Sequence, residues 1–232
     1  MKLSNRLLTC AQLVRPESRA VDVGADHGHL AIYLLAEDIC AHVIASDLRE
    51  GPLSAAKRNA AEAGISQNMD FCLSDGLQNV PMEGVDTVIC AGMGGDTIRS
   101  ILDGAKAHWN PGIQWVLQPQ ADVPELRRYL YDHGFQILRE VMARDGGFVY
   151  TIMEVRCGGG TPITLGESYL PQGQVDRSSP LYRAYMDRVR NGLQKTVAGI
   201  AQGKNPDFQR LKYFERALKE LEELEAAYEN GT

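Results

Sequence analysis

The sequence lacks paired cysteines, long apolar runs and a signal-peptide pattern. Its five cysteines are scattered singly with no C-x-x-C pair, which argues against a structural zinc site and against a disulfide framework. No apolar run approaches the roughly 20 residues that cross a bilayer, and Asn5 and Arg6 interrupt the apolar N-terminal stretch too early for a leader. We therefore expect a cytoplasmic protein with no metal and no membrane contact.

The chain also lacks the positive charge that is typical of nucleic-acid-binding proteins. Its 232 residues carry 24 Lys and Arg against 30 Asp and Glu, a net charge of −6. The acidic excess lies within residues 1–158, while residues 159–232 are balanced. A local basic face remains compatible with this total, because cations cluster at the start of the chain: Lys2, Arg6, Arg15 and Arg19.

Short apolar strands alternate with helical patterns along the first two thirds of the chain. Strands are predicted near residues 20–24, 42–47, 69–73, 85–91 and 113–117. Helices are predicted near residues 3–14 with Ser4 as the cap, and near 28–36, 52–64, 95–106 and 122–133. This alternation indicates an α/β fold with a parallel sheet covered on both faces.

Two further apolar segments, 135–141 and 148–155, flank the turn Asp145-Gly146-Gly147 and predict a hairpin. A parallel sheet that ends in an antiparallel hairpin is typical of the Rossmann-like class I methyltransferases that use S-adenosylmethionine (SAM). Residues 1–158 are therefore predicted to form a SAM-dependent methyltransferase domain.

The glycine run 158–160 predicts a flexible connection, and residues 159–177 are predicted to form a linker. Within this linker, Ile163–Leu170 is a candidate short strand. Residues 178–232 contain two long helical patterns that are broken near residues 203–206. They predict a C-terminal antiparallel helical, coiled-coil domain.

The segment from Ala20 to Leu30 reads as a strand, a glycine turn and the start of a helix. A dinucleotide site requires G-x-G-x-x-G so that backbone amides hold a pyrophosphate, whereas this turn has only Gly24 and Gly28, with Asp26 between them. A carboxylate there would repel a pyrophosphate and attract the sulfonium and ammonium groups of SAM. Asp47 ends the second strand, where an acid can accept hydrogen bonds from both ribose hydroxyls.

Later strand ends complete a predicted cofactor site, because ligands of open α/β sheets bind beyond the carboxyl ends of the strands. Asp75 follows the third strand and can accept from an adenine amino group. His27 either contacts the cofactor or packs at the helix start. The predicted cofactor-binding residues are Asp22, Gly24, Asp26, His27, Gly28, Asp47, Leu48, Asp75, Gly76, Ala91, Gly92 and Met93.

A glycine-rich loop, Gly92-Met93-Gly94-Gly95, follows the fourth strand. It either leaves a slot for a flat ring beside the methyl donor or merely caps the next helix. Gln118 and Gln120 follow the fifth strand and are either base-edge contacts or buried structural amides.

The chain resembles the bacterial tRNA (adenine-22-N1)-methyltransferase family, TrmK, over about residues 3–156. The resemblance rests on Leu3-Ser4-Asn5-Arg6-Leu7, Asp22 to Leu30, Gly51-Pro52, Ser54 to Arg58, Asp75-Gly76-Leu77, Ala91 to Gly95 and Gln118-Pro119-Gln120. Where this chain has Asp47 and Gln120, the family often has Glu and Asn. The terminal helical pair is also family-like.

The resemblance implies methyl transfer from SAM to N1 of adenine 22 in the D-arm region of tRNA. Adenine N1 has a free lone pair, so no general base is needed, and alignment supplies much of the barrier reduction. Asp26 and Gln118 are the candidate catalytic residues, Asp26 as an acceptor near the N6 amino group. The absence of an [N/D]-P-P-[Y/F] tetrapeptide agrees with a target other than the exocyclic amine, and reaching N1 requires an extracted base or a distorted site.

The predicted substrate-binding residues are Arg6, Gly94, Gly95, Gln118, Gln120, Lys57 and Arg58. Lys2 is a further candidate for phosphate contact. The helical pair is a candidate tRNA-binding surface, and its candidate contacts are Arg177, Arg183, Arg188, Arg190 and Lys195. Each of these cations could equally belong to a solvated helix face.

Three other functions fit parts of the sequence. They are a SAM-dependent methyltransferase acting on a small molecule or protein, a non-catalytic protein whose helical pair binds a partner, and an NAD-dependent oxidoreductase, which the glycine spacing disfavours. The expected state is a monomer or a weak homo-oligomer.

Overall fold

A single seven-stranded sheet with the order β3-β2-β1-β4-β5-β7-β6 forms the centre of the molecule. The structure is a computed structural model that describes residues 3–229; Lys2 lies outside the described residues. The strands are β1 (Ser18–Val23), β2 (Cys40–Asp47), β3 (Met69–Leu73), β4 (Thr87–Gly94), β5 (Gln114–Ala121), β6 (Phe135–Asp145) and β7 (Phe148–Cys157). β1 to β5 are parallel, and β7 runs antiparallel to both β5 and β6.

The predicted strands and fold class are confirmed, but β4 and β5 are longer at their carboxyl ends than predicted. The expected loop at 92–95 is wrong, because Gly92 to Gly94 belong to β4 and Gly95 begins the next helix. Gln118 and Gln120 likewise lie within β5 and not after it.

Eight α-helices accompany the sheet in the described residues. They are α1 (Asn5–Leu13), α2 (His29–Ala36), α3 (Glu50–Glu62), α4 (Gly95–Gly104), α5 (Val123–Asp132), α6 (Leu165–Tyr169), α7 (Pro180–Ala201) and α8 (Phe208–Glu229). The predicted cap of α1 is confirmed, because the Ser4 hydroxyl accepts a hydrogen bond from the Leu7 N–H at 3.4 Å. This bond satisfies one of the N–H groups that the first helical turn leaves unpaired.

Both faces of the sheet are covered by helices, as a parallel sheet requires. On one face, α1 and α2 pack residues such as Cys10 and Leu34 against the sheet. On the other face, α4 and α5 contribute Ile98, Leu102 and Leu126. The strand order reverses between β1 and β4, so this fold leaves a crevice at the carboxyl ends of those strands.

The predicted hairpin joins β6 and β7 through Gly146 and Gly147. Both glycines have positive φ, 55° and 87°, which a two-residue turn of the primed type needs. The turn therefore places Phe148 at the tip of the hairpin, at the start of β7.

The expected short strand within Ile163–Leu170 is wrong, because Leu165–Tyr169 forms α6. The Thr164 hydroxyl accepts from the Glu167 N–H, and the Glu167 carboxylate accepts from the Thr164 N–H. This capping box favours a helix start at this position over an extended strand.

The helices α7 and α8 form an antiparallel pair, since Arg190 contacts Glu225 while the earlier Arg177 contacts the later Tyr228. The pair packs on the hairpin through a third apolar cluster that includes Met142 and Leu221. The coiled-coil seam and the domain boundaries at 158 and 177 stay predictions.

A buried ion pair connects the sheet to the C-terminal helices. Arg127 of α5 binds Glu140 of β6 at 2.5 Å, and both side chains are fully buried. Arg127 also donates to the Ser168 carbonyl at 2.8 Å and to the Tyr185 hydroxyl at 2.9 Å. Elements α5, β6, α6 and α7 therefore share one polar network.

No helix in residues 3–229 combines the length and apolar character needed to cross a bilayer. In the same residues, no group of three or more His, Cys, Asp or Glu side chains is placed to hold a metal ion.

Candidate functional site

A cleft of about 480 Å³ opens at the carboxyl ends of β1, β2, β3 and β4. Four carboxylates line it: Asp22, Asp26, Asp47 and Asp75. Two arginines, Arg6 and Arg49, also contribute to its wall. The cleft lies where the strand order reverses, which is the position at which open α/β sheets bind ligands.

The turn after β1, which contains Gly24 and Ala25, is fixed by backbone hydrogen bonds to β2. The N–H groups of Gly24 and Ala25 donate to the Ser46 carbonyl at 2.8 and 2.9 Å. Gly24 has φ of 69°, and a Cβ there would lie 2.4 Å from Cε of Met93. Only glycine fits this position, because any larger residue would be strained and would displace Met93.

Asp26 projects into the cleft from an unusual backbone conformation. Its φ is 50°, which is uncommon for a residue other than glycine and is often found at functional sites. Its side chain is 64% exposed, so the carboxylate is available to a ligand. Its backbone N–H donates to Oδ2 of Asp47 at 3.2 Å.

Asp47 connects the first two strand ends. Its carboxylate accepts the Asp26 N–H through Oδ2 and the Arg49 N–H through Oδ1, the latter at 2.9 Å. The side chain is almost buried. These two bonds fix the carboxylate at the cleft wall while each oxygen retains a further lone pair for a ligand hydroxyl.

Asp22 forms the floor of the cleft and is buried. Burial raises the pKa of its carboxyl to about 7, the Ala31 N–H lowers it, and the nearby Asp47 raises it. The carboxyl therefore takes up a proton at a higher pH than an ordinary aspartate does, and a bound cation would favour its ionised form.

The glycine-rich end of β4, Gly92 to Gly94, is fixed by Gln118. Its Oε1 accepts the Gly92 N–H at 3.0 Å and one Arg6 N–H at 2.6 Å. Its Nε2 donates to the Pro119 carbonyl at 2.9 Å. Gln118 is fully buried, so in this arrangement it positions Gly92 and Arg6 at the cleft; direct base contact by Gln118 stays a prediction.

The structure brings ten of the twelve predicted cofactor-binding residues to the cleft and leaves His27 and Gly28 outside its lining. His27 is exposed and stacks on His29, with ring centroids 5.7 Å apart. A Cβ on Gly28 would lie 2.9 Å from Cβ of Ala56, so this glycine allows α2 and α3 to pack closely. Both alternatives for His27, cofactor contact and packing at the helix start, stay predictions.

The predicted substrate residues divide between several places. Arg6 lines the cleft. Gly95 packs on the backbone after β5, since a Cβ added at this position would lie 2.6 Å from the Asp122 carbonyl oxygen. Gly94 lies beside Gly95 at the end of β4, and neither glycine lines the cleft.

Gln120 lines a second groove, whereas Lys57 and Arg58 are exposed on α3 and line neither cavity. Lys57 lies over the Phe71 ring, 5.7 Å from its centroid. The assignment of these residues to the substrate stays a prediction.

Several lining residues were missed by the sequence reasoning. They are Leu7, Val23, Ala25, His29, Leu30, Arg49, Ser74, Thr97 and Ile101. Ser74 directly precedes the predicted Asp75 and Arg49 lies two residues after the predicted Asp47, and this closeness in sequence is the available signal. Thr97 and Ile101 lie on α4, and only the path of the helix brings them to the cleft.

The second groove, of about 320 Å³, lies between the ends of β5 and β7 and the helix α7. Gln120, Tyr150 and Arg188 are part of its wall. Arg6 of the first cleft lies 5.9 Å from the Tyr150 ring centroid, so the two cavities are neighbours.

Comparison with known proteins identifies the class. A family profile described as a methyltransferase domain matches residues 3–153. The chain belongs to this methyltransferase domain family. The methyltransferase is 28% identical over 158 residues to the Bacillus subtilis tRNA (adenine(22)-N(1))-methyltransferase, an alignment covering 68% of this chain and 66% of that enzyme. The predicted family resemblance is confirmed.

Two solved structures resemble the methyltransferase along nearly its whole length. A Streptococcus pneumoniae protein in complex with S-adenosyl-L-methionine has a TM-score of 0.78 at 25% identity, covering 96% of this chain and 99% of that chain. The Bacillus subtilis m1A22 tRNA methyltransferase TrmK has a TM-score of 0.82 at 24% identity, covering 96% and 98%. The second likeness shows the shared fold, including the C-terminal helices.

The cleft of this methyltransferase fits SAM by its own residues. Four acidic side chains line the cleft, and the sulfonium and ammonium groups of SAM are both positive, so the charges are complementary. The positive φ of Gly24 and Gly92, 69° and 80°, lets the backbone approach a ligand closely where a Cβ would meet Met93 or Arg6. Neither segment has the glycine spacing that holds a pyrophosphate.

Proposed function

We propose that this methyltransferase transfers a methyl group from SAM to N1 of adenine 22 in the D-arm region of tRNA. The main support for the proposal is the cleft, in which four carboxylates lie beside the glycine-rich end of β4. That combination suits a cationic methyl donor and a flat acceptor ring. The relationship to a tRNA (adenine(22)-N(1))-methyltransferase supports the acceptor.

SAM supplies an electrophilic methyl group on its sulfonium. Asp47 would hold the ribose hydroxyls and Asp75 the adenine amino group. Asp22 would provide negative charge near the positive part of the donor, and Met93 would close over Gly24 at its side. Leu48, Gly76 and Ala91 complete the wall.

The acceptor adenine needs alignment rather than a base, because N1 has a lone pair at neutral pH. Asp26, exposed at the cleft, would accept a hydrogen bond from the N6 amino group as positive charge develops on the ring. Gln118 would act through Arg6 and Gly92, which it holds in place. Gln120, Gly94 and Gly95 would border the base, with Lys57 and Arg58 as more distant phosphate contacts.

The reaction would take place in the cytoplasm, where tRNA is modified, with the protein acting as a monomer or weak homo-oligomer.

The test is incubation of the protein with radiolabelled SAM and an unmodified tRNA transcript, followed by mapping of the methylated position. We expect N1-methyladenosine at position 22, and no label in a transcript with guanine there. Label at another position or atom, or in a small molecule or protein but not in tRNA, would overturn the proposal.

A pH dependence of SAM binding follows from Asp22. Its pKa is about 7 in the free protein, and a bound cation stabilises its ionised form, so binding should release a proton. Affinity should therefore rise with pH by up to about tenfold per unit below pH 7 and level off above it. The range from about pH 5 to 7 keeps most of the amino groups of SAM protonated.

Isothermal titration calorimetry in buffers with different ionisation enthalpies measures both affinity and proton release. The variant Asp22→Asn should bind more weakly at pH 7.5 and show a flatter pH profile. A wild-type affinity that does not change across this range would contradict the assignment of Asp22.

A further inference from the structure

Two neighbouring aromatic rings with an arginine at each end form a row that leads away from the cleft along the β6–β7 hairpin. It consists of Arg6, Tyr150, Phe148 and Arg188, which we call the cation–aromatic strip. Cζ of Arg6 lies 5.9 Å from the Tyr150 ring centroid, and the Tyr150 and Phe148 centroids are 6.3 Å apart. Cζ of Arg188 lies 5.4 Å from the Phe148 centroid. The strip therefore connects the cleft to the second groove.

The two rings share one face of β7 because side chains alternate along a strand. Val149, between them, is buried in the cluster under the helical pair. Phe148 is 55% exposed, although nothing in the hairpin turn requires an aromatic residue there. An exposed large apolar ring that lies between a second aromatic ring and a guanidinium group is a suitable surface for stacking a nucleobase.

Both arginines are held in place by bonds that use only part of their capacity. Arg188 donates one bond to the Val149 carbonyl at 3.3 Å, and Arg6 donates one to Gln118 at 2.6 Å. A guanidinium has five N–H donors, so both groups can also donate to phosphate oxygens. One acid opposes them: Asp145 lies 3.8 Å from Nε of Arg6.

We propose that the cation–aromatic strip binds an unpaired tRNA nucleotide next to the target adenine. Its base would stack on Phe148 and Tyr150, and its phosphate would contact Arg188. The inference rests on the proposed function. Proteins that act on a base remove it from its stack, which leaves its neighbours available for aromatic stacking, the usual means of recognising single-stranded RNA. The strip begins at Arg6 of the cleft, so its occupant is adjacent to the reacting base.

The test compares substitutions at Phe148 and Arg188 in the full-length protein with an unmodified tRNA transcript. Phe148→Leu removes stacking and keeps an apolar side chain, while Phe148→Trp keeps stacking. We expect Phe148→Leu to raise the KM for tRNA about tenfold, and Phe148→Trp to restore it to near the wild-type value. The Kd for SAM should be unchanged in both variants.

Arg188→Gln should weaken tRNA binding and reduce the slope of log affinity against log salt by about 1, as expected for one lost phosphate contact. Arg156→Gln is the matched control. Arg156 is an exposed arginine at the opposite end of the same strand, roughly 26 Å from Phe148 at the usual rise per residue. It should leave affinity and salt slope unchanged. Thermal unfolding of each variant verifies that the fold is retained.

The outcomes distinguish this inference from the function on which it rests. If the wild-type protein does not methylate the transcript, the proposed function fails and the strip's role fails with it. If the wild type is active and Phe148→Leu and Arg188→Gln match it in KM and salt slope, the strip alone is refuted. An equal loss in Phe148→Leu and Phe148→Trp would also refute stacking.

Discussion

Replacing Asp47 with alanine should weaken SAM binding at least about 100-fold. Hydrogen bonds to a charged group contribute about 1.5–3 kcal/mol each, so losing the contacts to two ribose hydroxyls costs about 3–6 kcal/mol, which is at least about two orders of magnitude in Kd. The effect should be large because this carboxylate is also the group that receives the Asp26 N–H. Its removal would loosen the turn after β1 as well. Calorimetric titration of SAM measures the change.

Two further variants make the Asp47 result interpretable. Asp47→Glu retains the carboxylate and should bind SAM within about tenfold of the wild type, a loss of at most 1.4 kcal/mol. Asp70→Ala removes an exposed aspartate of the same sheet that pairs with Arg19 and His42 outside the cleft. It should leave the Kd unchanged. Wild-type affinity in a folded Asp47→Ala protein would refute the proposed ribose contact.

Replacing Arg127 with methionine should lower the free energy of unfolding by about 3–5 kcal/mol, because Glu140 would remain as an unpaired buried charge. Glu140 also accepts bonds from the Thr151 hydroxyl and, at 2.8 Å, from the Gln172 N–H, so the loss would affect several elements at once. A decrease of roughly 10 °C in Tm is expected for a chain of this size. Chemical denaturation and calorimetry measure it.

The double variant Arg127→Met, Glu140→Leu should recover part of that loss, since removing both partners leaves no isolated charge. Lys219→Met provides the control on the exposed face of α8, where Lys219 pairs with Glu223 at 3.7 Å. Such surface pairs contribute about 0–1 kcal/mol, so the control should change Tm little. An Arg127→Met protein as stable as the wild type would mean that the buried pair makes no net contribution.

Most of the sheet could be predicted from the sequence because each strand is a short apolar run bounded by turn residues. The acids at the strand ends could be predicted for the same reason. Once the strands are parallel, Asp22, Asp47 and Asp75 must meet at one edge. Local pattern and global fold agree at these positions.

The rest depends on distances between segments that are remote in sequence. Gln118 bonds to Arg6 across 112 positions, and nothing local distinguishes such an amide from one that faces the substrate. Arg127 and Glu140 appear as ordinary charged residues, although the fold buries both. Gly28 matches a cofactor motif, yet its contact is Ala56 of the next helix.

The buried Arg127 network has a consequence for how a large substrate is accommodated. Because Tyr185 of α7 and the Ser168 carbonyl bind the same guanidinium, the helical pair α7–α8 is anchored to α5 through buried bonds. We therefore expect an RNA that contacts both the helical pair and the cleft to adapt its own shape to this arrangement. The free energy needed to distort the D-arm would then depend on the tRNA, and tRNAs whose D-arm deforms easily would be the better substrates.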